Sequence, residues 1–460
     1  MELTRAFVAG ATGGRSAGFA DPEPVGHGIA FDSRALSAGQ VFVALRGTRD
    51  GHEFVGDAHD RGAAFSIVER GAAGIPAAEI PVVEVSDTAT ALGALTVAAR
   101  SLLRIPVVAI TGSVGKTSTK DLAAAALRAG FRTHAAPASY NNEIGVPATV
   151  LGAPHGTEVL VLELGARFAG NIAELCAITR PTVGVITNIG NAHAEHLGGL
   201  EGVAAVKGEL LEALPATGLA VISTDVSSAK QRSRSVAPVL TVGTTPDADV
   251  RASDVMLDPE LHVRFQLDTP WGSGVAMLGV RGAHQVINAA QAATVALHLG
   301  VPFDSVLDAL SRAPASAWRM QVELSAAGIH VINDAYNASP VSTLAALDAF
   351  VALPVTGRRI AVLGEMAELG DLSASEHTRV GFALAERGID LLVAVGAPTE
   401  PLAVAAEKGG VRVVRVDDGD VALATVLAEA QPGDGVLVKA SRVVGLERVA
   451  LALVGAEVIA

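Results

Sequence analysis

The sequence predicts an α/β protein of three domains: a small α/β N-terminal domain, a central parallel-sheet domain with a phosphate-binding P-loop, and a C-terminal doubly wound, Rossmann-like domain. Three observations support this prediction. Short apolar runs alternate with alanine-rich stretches, as in parallel sheets covered by helices on both faces. A Gly-Lys-Thr loop follows one of these runs. The 460 residues also exceed what one hydrophobic core usually supports.

The first block, residues 1–98, is typical of a small α/β domain. Three strand-like runs lie at residues 40–45, 64–68 and 80–85, separated by turns rich in Gly and Asp. An alanine-rich stretch at residues 88–100 predicts the helix that ends this block.

The second block, residues 99–313, repeats a unit of buried strand and helix. We expect strands at residues 107–110, 158–164, 181–187 and 219–223. A polar, proline-containing region at residues 247–274 predicts antiparallel strands before a helix around residues 289–299. Because both faces of the first four runs are apolar, they predict a parallel sheet covered on each side.

The third block, residues 314–460, alternates in the same way and predicts a second doubly wound sheet. Its expected strands lie at residues 329–333, 359–363, 391–395, 411–416 and 435–438.

Composition excludes several classes of function. The net charge is −14 and no cluster of Lys and Arg occurs, which argues against a nucleic-acid partner. The single cysteine, Cys176, excludes an intrachain disulfide and suits a reducing compartment. Neither a leader segment nor an apolar run long enough to span a bilayer is found, so we expect a soluble cytoplasmic protein without a membrane span.

The P-loop is the strongest functional signal. It follows the run ending at Ile110 and comprises Thr111, Gly112, Ser113, Val114, Gly115, Lys116, Thr117 and Ser118. Glycines let backbone N–H groups surround phosphate oxygens, Lys116 supplies a positive charge, and the Thr117 hydroxyl is a ligand for Mg²⁺. Ile110 stands where the common spacing has glycine, and the alternative is a glycine-rich turn that only joins strand to helix.

Polar residues follow the other predicted strands, where ligands bind in open parallel sheets. They are Glu163, residues 188–193, residues 334–337, residues 364–366, and Lys439 with Ser441 and Arg442. His193 and His196 with a nearby Glu could hold zinc, but the His-Glu-x-x-His order is absent and no cysteine ligand is available. Oxygen-bound Mg²⁺ with one imidazole suits the P-loop better.

Taken together, these motifs resemble the Mur ligases, ATP-dependent enzymes that form amide bonds in peptidoglycan precursors. The resemblance rests on residues 111–117, 188–198 and 334–340, and the family's loop also lacks the first glycine. Residues 32–34, 42–54, 141–147, 363–370 and 437–442 are most similar to the MurF type, which joins D-alanyl-D-alanine to a UDP-N-acetylmuramoyl tripeptide. The match covers essentially the whole chain.

The resemblance implies a reaction through an acyl phosphate, with ATP and two Mg²⁺ ions. Lys116 and Thr117 match the contacts to the β- and γ-phosphates and to the first metal, and Glu163 matches its carboxylate. His193 matches a ligand of the second metal, and Lys207 matches a lysine that the family carries as a carbamate. The alternative for Lys207 is a surface lysine paired with Glu209 or Glu212.

For the nucleotide, the resemblance implies an adenine contact by Asn288, an ATP contact by Arg319, and a ribose contact by Asp334, with Asn337 in the same motif. The alternatives are a surface ion pair for Arg319 and a helix N-cap for Asp334. Because Arg319 and Asp334 must share a nucleotide with Lys116, we expect the third domain to swing onto the central one when ATP binds.

For the other substrates, the resemblance implies three groups of contacts. Ser33 and Arg34 would contact the uracil or its ribose, Asn141 and Asn142 the muramoyl peptide, and Lys439, Ser441 and Arg442 the incoming dipeptide. Either pair, Ser33 with Arg34 or Asn141 with Asn142, could instead stabilise a turn. We expect a monomer whose partners are these small molecules. The alternatives are a Mur-type ligase that adds one amino acid, a folate polyglutamate ligase, and a nucleotide-dependent switch protein.

Overall fold

The chain folds around three large β-sheets that follow one another in sequence, which confirms the predicted α/β fold class. The structure is a computed structural model, and it describes residues 1–18, 22–72, 80–137, 139–190, 197, 199–226 and 229–455. Within these ranges, no helix combines the length and apolar character that crossing a bilayer needs.

The N-terminal part contains a five-stranded sheet and a two-stranded ribbon. Its strands are β1 (Glu2–Thr4), β2 (Arg15–Ala17), β3 (Val25–His27), β4 (Ile29–Ala30), β5 (Val41–Val43), β6 (Phe65–Glu69) and β7 (Val82–Val85). Its helices are α1 (Arg5–Thr12), α2 (Val55–Asp60) and α3 (Thr88–Leu102). The sheet order is β2-β7-β6-β5-β4, with β2 antiparallel to β7 and the rest parallel. Helices α1 and α3 pack on one face and α2 on the other.

The central part contains a nine-stranded sheet in the order β16-β15-β14-β13-β12-β11-β8-β10-β9. Its strands are β8 (Val107–Thr111), β9 (Thr133–Ala135), β10 (Val159–Glu163), β11 (Val183–Ile186), β12 (Leu219–Ser223), β13 (Val239–Gly243), β14 (Val250–Leu257), β15 (His262–Thr269) and β16 (Gly272–Arg281). The predicted antiparallel region is confirmed as β14 to β16, although β14 also pairs in parallel with β13.

Helices cover both faces of this central sheet. They are α4 (Lys116–Arg128), α5 (Gly145–Leu151), α6 (Asn171–Thr179), α7 (Gly199–Glu212), α8 (Ala229–Arg232), α9 (Gln285–His298) and α10 (Phe303–Ser311). Helices α4, α9 and α10 pack on one face, and α5, α6 and α7 pack on the other. Every residue of β8, β10 and β12 is buried, as strands covered on both faces must be.

The C-terminal sheet has the order β17-β18-β22-β19-β20-β21, and only the edge strand β17 is antiparallel. Its strands are β17 (Gln321–Leu324), β18 (His330–Asn333), β19 (Arg359–Leu363), β20 (Leu391–Val395), β21 (Arg412–Val416) and β22 (Gly435–Lys439). Helices α11 (Pro340–Ala352), α12 (Ser373–Glu386) and α13 (Glu400–Lys408) cover one face, and α14 (Gly419–Glu429) and α15 (Glu447–Val454) the other. The doubly wound prediction is therefore confirmed.

Short 3-10 helices connect several of these elements, at Ser33–Ala35, Gly51–Phe54, Thr224–Val226, Gly370–Leu372, Ala397–Thr399 and Arg442–Val444.

The tip of the β14–β15 hairpin reaches from the central sheet into the C-terminal core. Leu261 is fully buried there and belongs to the same apolar cluster as Met320 and Ile332. Its φ of 67° is in the left-handed region, which leucine adopts at a cost unless packing compensates. A residue of the central sheet therefore completes the core of the C-terminal one.

A buried cation joins the N-terminal and central parts. From α3, Arg100 donates from Nε to the carbonyl oxygen of Thr179 at 2.7 Å, and from Nη2 to those of Ile105 and Arg180 at 3.2 Å each. It also donates to the carbonyl oxygen of Leu103. The carbonyl groups of residues 179 and 180 lie at the C-terminus of α6. A helix C-terminus carries a partial negative charge, which a cation such as Arg100 neutralises.

Replacing Arg100 with Met is expected to lower the free energy of unfolding by about 2–3 kcal/mol, because four carbonyl groups lose a charged donor. Urea denaturation of the full chain measures this loss. The matched control is Arg104→Met, since Arg104 is exposed nearby on the same connection. Equal losses for the two variants would mean that the Arg100 contacts contribute nothing.

Candidate active site

A cleft of about 1060 Å³ lies where the carboxyl ends of the central and C-terminal parallel strands face each other. This position, beyond the strand ends, is where open α/β sheets bind ligands. The cleft is lined by sixteen of the predicted site residues: Ser113, Gly115, Lys116, Thr117, Ser118, Asn141, Asn142, Glu163, Lys207, Asn288, Arg319, Asp334, Asn337, Lys439, Ser441 and Arg442.

Three of the predicted residues that the structure describes, Gly112, Ser33 and Arg34, are not among those that line this cleft. Ser33 is buried and Arg34 is exposed, on a 3-10 turn of the N-terminal part, where Asp32 accepts from both the backbone N–H and the guanidinium of Arg34. Asp32 therefore stabilises this turn together with Arg34, and the uridine contacts of Ser33 and Arg34 stay predictions. His193 lies outside the described residues.

The P-loop has the backbone that its glycines predict. Gly112 and Gly115 adopt φ values of 148° and 81°. A Cβ on Gly112 would overlap the Thr187 hydroxyl, and a Cβ on Gly115 would lie 2.6 Å from Asn288 Oδ1. Only glycine therefore fits at these two positions.

The loop presents hydrogen-bond donors to the cleft at the start of α4. For the backbone N–H groups of residues 115–118, no acceptor is found among the described residues. No side chain of a described residue caps this helix, so its N-terminus keeps the partial positive charge that attracts anions. The Lys116 ammonium donates to the carbonyl oxygen of Gly112 at 2.8 Å, and burial lowers the pKa of Lys116.

A hydrogen-bond network centred on Thr117 follows the loop. The Thr117 hydroxyl donates to Glu163 Oε2 at 2.8 Å and accepts from Arg319 Nη2 at 2.9 Å. Ser139 Oγ lies 3.0 Å from the same oxygen, and Asn141 Nδ2 donates to Glu163 Oε1 at 2.8 Å. Two hydroxyl oxygens and a carboxylate therefore lie together, which is the donor set that Mg²⁺ prefers.

Ser139 was missed from the sequence. It lies just beyond β9, at the same sheet edge as Glu163. The rule that ligands lie after strand ends would have found it, but β9 is only three half-buried residues long and carries no apolar run. Among the described residues, no group of three or more His, Cys, Asp and Glu side chains is placed to hold a metal.

Lys207 is a buried lysine facing this network. It is 1 % exposed, and burial, reinforced by the positive charge of Lys116, lowers the pKa of Lys207 to about 7. The alternative of an ion pair with Glu209 or Glu212 is wrong. Glu209 accepts from the backbone N–H groups of Gly170 and Ala173. Glu212 instead pairs with Arg234 at 2.9 Å.

Asn288 supports the loop from α9. Its Oδ1 accepts from the Thr119 hydroxyl at 3.2 Å, and its Nδ2 donates to Gln285 Oε1 at 2.9 Å. The adenine contact of Asn288 stays a prediction.

Arg319 comes to the P-loop from the start of the C-terminal part. Besides its bond to Thr117, its guanidinium lies over the Tyr336 ring at 4.3 Å from the centroid. Both neighbours, Trp318 and Met320, have left-handed φ values of 56° and 49°. Such strain often occurs at functional sites. The surface ion pair that the sequence left open for Arg319 is therefore wrong.

Asp334 forms a buried ion pair with Lys439. Lys439 Nζ lies 2.6 Å from Asp334 Oδ2 and donates to the carbonyl oxygen of Asn337 at 2.9 Å. Asp334 Oδ1 accepts from the backbone N–H of Met320 at 3.1 Å. The helix-cap alternative for Asp334 is wrong, because Ser339 caps α11. The predicted contact between Lys439 and the dipeptide stays untested. The charge of Lys439 is already paired with that of Asp334.

Three more of the predicted side chains also have partners in the protein. Asn142 Oδ1 accepts from Gly145 N at 2.8 Å, which is the turn-stabilising alternative. The Ser441 hydroxyl accepts from Ala367 N at 2.9 Å. Arg442 lies over the Trp318 ring at 4.5 Å from the centroid. Their substrate contacts stay predictions.

Comparisons with known proteins identify the family of this chain. Family models described as Mur ligase middle domain, Mur ligase glutamate ligase domain, and Mur ligase family catalytic domain match residues 110–296, 318–442 and 26–100. The UDP-N-acetylmuramoyl-tripeptide–D-alanyl-D-alanine ligase of Mycobacterium tuberculosis is 39% identical, and the match covers 99% of this chain and 98% of the relative.

Solved structures give the same result. A crystal structure of MurF from Acinetobacter baumannii matches with a TM-score of 0.86 and 31% identity, covering 99% of both chains. MurF from Thermotoga maritima in complex with ADP matches with a TM-score of 0.78 and 28% identity, covering 92% of this chain and 96% of that one. The chain therefore belongs to the Mur ligase family, and within it to the MurF type.

Proposed function

We propose that the protein joins D-alanyl-D-alanine to UDP-N-acetylmuramoyl-tripeptide and converts ATP to ADP and phosphate. The observation that carries the proposal is the convergence of Lys116, Thr117 and Glu163 with Arg319 and Asp334 in one cleft. Sequence relatives of this type carry that activity in their names.

The reaction proceeds in two steps. A carboxylate oxygen of the tripeptide attacks the γ-phosphorus of ATP, and ADP leaves, giving an acyl phosphate. The amine of D-alanyl-D-alanine then attacks the acyl carbon, phosphate leaves, and the amine loses a proton. Phosphoryl transfer of this kind depends mainly on positioning and on neutralising charge.

The P-loop binds the phosphates. The N–H groups of residues 115–118, which have no acceptor among the described residues, and the Lys116 ammonium supply hydrogen bonds and charge where the β- and γ-phosphates lie. Arg319 adds a second cation from the C-terminal part, and Asp334, oriented by Lys439, binds the ribose. Asn288 contacts the adenine and Asn337 lies beside the nucleotide.

Thr117, Glu163, His193 and Lys207 would hold two Mg²⁺ ions, which would neutralise the phosphate charge. Thr117 and Glu163 already lie 2.8 Å apart at the loop. Lys207 takes part as a carbamate. Its lowered pKa, about 7, leaves a large share of neutral amine at physiological pH, and only the neutral amine reacts with CO₂.

Ser33 and Arg34 bind the uridine end of the substrate, while Asn141 and Asn142 contact the muramoyl peptide. Ser441 and Arg442 lie at the cleft for the dipeptide, whose carboxylate suits the Arg442 guanidinium. One chain supplies every group, so we propose that the protein acts as a monomer, in the cytoplasm where ATP and UDP-linked precursors are made.

The test is ADP release with the purified chain, ATP, Mg²⁺, UDP-N-acetylmuramoyl-tripeptide and D-alanyl-D-alanine, each omitted in turn. We expect release only when all are present. Activity with a single amino acid, but not with the dipeptide, would replace the MurF assignment by another Mur-type ligase. Phosphate release without either acceptor substrate would instead indicate a nucleotide-dependent switch.

A further inference from the structure

The tip of the P-loop is held by the segment that follows β11. Asn188 Oδ1 accepts from the backbone N–H groups of both Ser113 and Val114, at 3.1 and 2.9 Å. The Asn188 carbonyl oxygen also accepts from Ser113 N at 3.2 Å. One carboxamide therefore takes two of the loop N–H groups that a phosphate oxygen could otherwise use.

Two further residues of this segment hold the same loop tip. The Thr187 hydroxyl donates to the carbonyl oxygen of Val114. The Ser113 hydroxyl donates to the Gly190 carbonyl oxygen at 3.0 Å and accepts from Gly190 N at 2.9 Å. We call residues 187, 188 and 190 the loop clamp. Because β11 is the sheet neighbour of β8, the clamp is anchored in the rigid centre of the sheet.

We propose that Asn188 is a positioning residue that sets the shape of the P-loop before nucleotide binds. The N–H groups divide into two sets. Those of Ser113 and Val114 donate to the clamp, and those of residues 115–118 have no acceptor among the described residues and remain for phosphate. Fixing the loop in advance lowers the ordering cost that the nucleotide would otherwise meet. The inference rests on the proposed function only in taking ATP as the nucleotide.

Two substitutions at Asn188 distinguish the loss of the P-loop hydrogen bonds from the effect of a negative charge near the phosphates. Asn188→Ala removes the acceptor, so ATP and ADP are both expected to bind roughly tenfold more weakly, the equivalent of one or two hydrogen bonds. Asn188→Asp keeps an acceptor of the same size but adds a negative charge beside the phosphates. Its binding loss is expected to be larger for ATP than for ADP, and to shrink at high salt, where such repulsion is screened.

The chain offers a matched control in Asn171. Asn171 Oδ1 accepts from two backbone N–H groups, those of Arg167 and Phe168, at 3.1 and 2.9 Å. Asn171 also lines the cleft, so Asn171→Ala removes a similar pair of hydrogen bonds there without removing a hydrogen bond to the P-loop. It is expected to bind nucleotide like the parent chain.

The measurement is calorimetric titration of the full chain with ATP or ADP in the presence of Mg²⁺, at low and high salt. Parent-like binding by Asn188→Ala would overturn the proposal, and so would an equal loss in Asn171→Ala. An Asn188→Asp variant that stays as weak as Asn188→Ala at high salt would also overturn it. The titration measures nucleotide binding and not ligation. Its result can therefore be interpreted even if the protein does not catalyse the proposed reaction.

Discussion

Replacing Lys207 with methionine is expected to abolish ligation and, at the same time, to stabilise the fold. Lys207 is 1 % exposed, and its lowered pKa of about 7 means that burial disfavours its charged form. Without the amine the proposed carbamate cannot form, and the rate of ADP release is expected to fall on the order of 10²–10³-fold or more. Methionine fills a similar volume without a charge.

The stability effect has a defined pH dependence. The unfolded lysine keeps the ordinary pKa of 10.5, so between about pH 7 and 10.5 the unfolded chain binds more protons than the folded one. The parent chain therefore gains stability as pH rises through this window. Lys207→Met removes the penalty, and we expect it to be about 2–4 kcal/mol more stable near pH 7, with the advantage vanishing toward pH 10.5.

Urea denaturation in CO₂-depleted buffer at several pH values measures the stability, and ADP release in bicarbonate measures the activity. The matched control is Lys408→Met, because Lys408 is exposed at the end of α13. A Lys207→Met variant that ligates at the parent rate would remove Lys207 from the reaction. If the stability of Lys207→Met changed with pH as much as that of the parent chain, Lys207 would be solvated in the folded protein.

Replacing Lys439 with methionine is expected to destabilise the C-terminal sheet by about 3 kcal/mol. The change leaves the Asp334 carboxylate, whose side chain is 14% exposed, with the Met320 N–H as its remaining hydrogen-bond donor among the described residues. Removing one partner of a buried ion pair typically costs 3–5 kcal/mol, whereas removing both costs much less. Lys439→Met combined with Asp334→Asn is therefore expected to recover most of the loss.

Hydrogen–deuterium exchange of the peptides covering β18 and β22 measures this effect locally, since these two strands carry the pair and adjoin each other. We expect protection to fall in Lys439→Met and to return in the double variant. Additive losses in the double variant would show that the two charges do not interact. ATP binding by the double variant separately tests the ribose contact proposed for Asp334.

The sequence predicted the long buried strands well because a strand covered on both faces must be continuously apolar. Strands β8, β10 and β12, and β18 to β22, lie where they were expected. The short strands β1 to β4, together with β9 and β17, were not predicted, since each is short and lies in a ribbon or toward the edge of a sheet. Their pairing depends on neighbours that are distant in sequence.

Which residues line the cleft could also be predicted, but not what each side chain contacts. The Gly-Lys-Thr loop and the strand-end rule brought Thr117 and Glu163 together correctly, and the family resemblance added Lys207. Pairing across domains, such as Arg319 with Thr117 or Lys439 with Asp334, depends on tertiary geometry that no local pattern encodes. The contacts of Asn188 could not be predicted either, because nothing in the local sequence shows whether its side-chain amide contacts solvent, a ligand or the P-loop.

The buried tip of the β14–β15 hairpin limits how well the C-terminal part can fold independently of the central part. Leu261 precedes the C-terminal sheet in sequence, yet it fills space within that sheet's apolar cluster. A fragment that begins at residue 314 would therefore have an unfilled cavity, and cavities of leucine size cost several kcal/mol. Transplanting this part into another protein would require the hairpin to be carried with it.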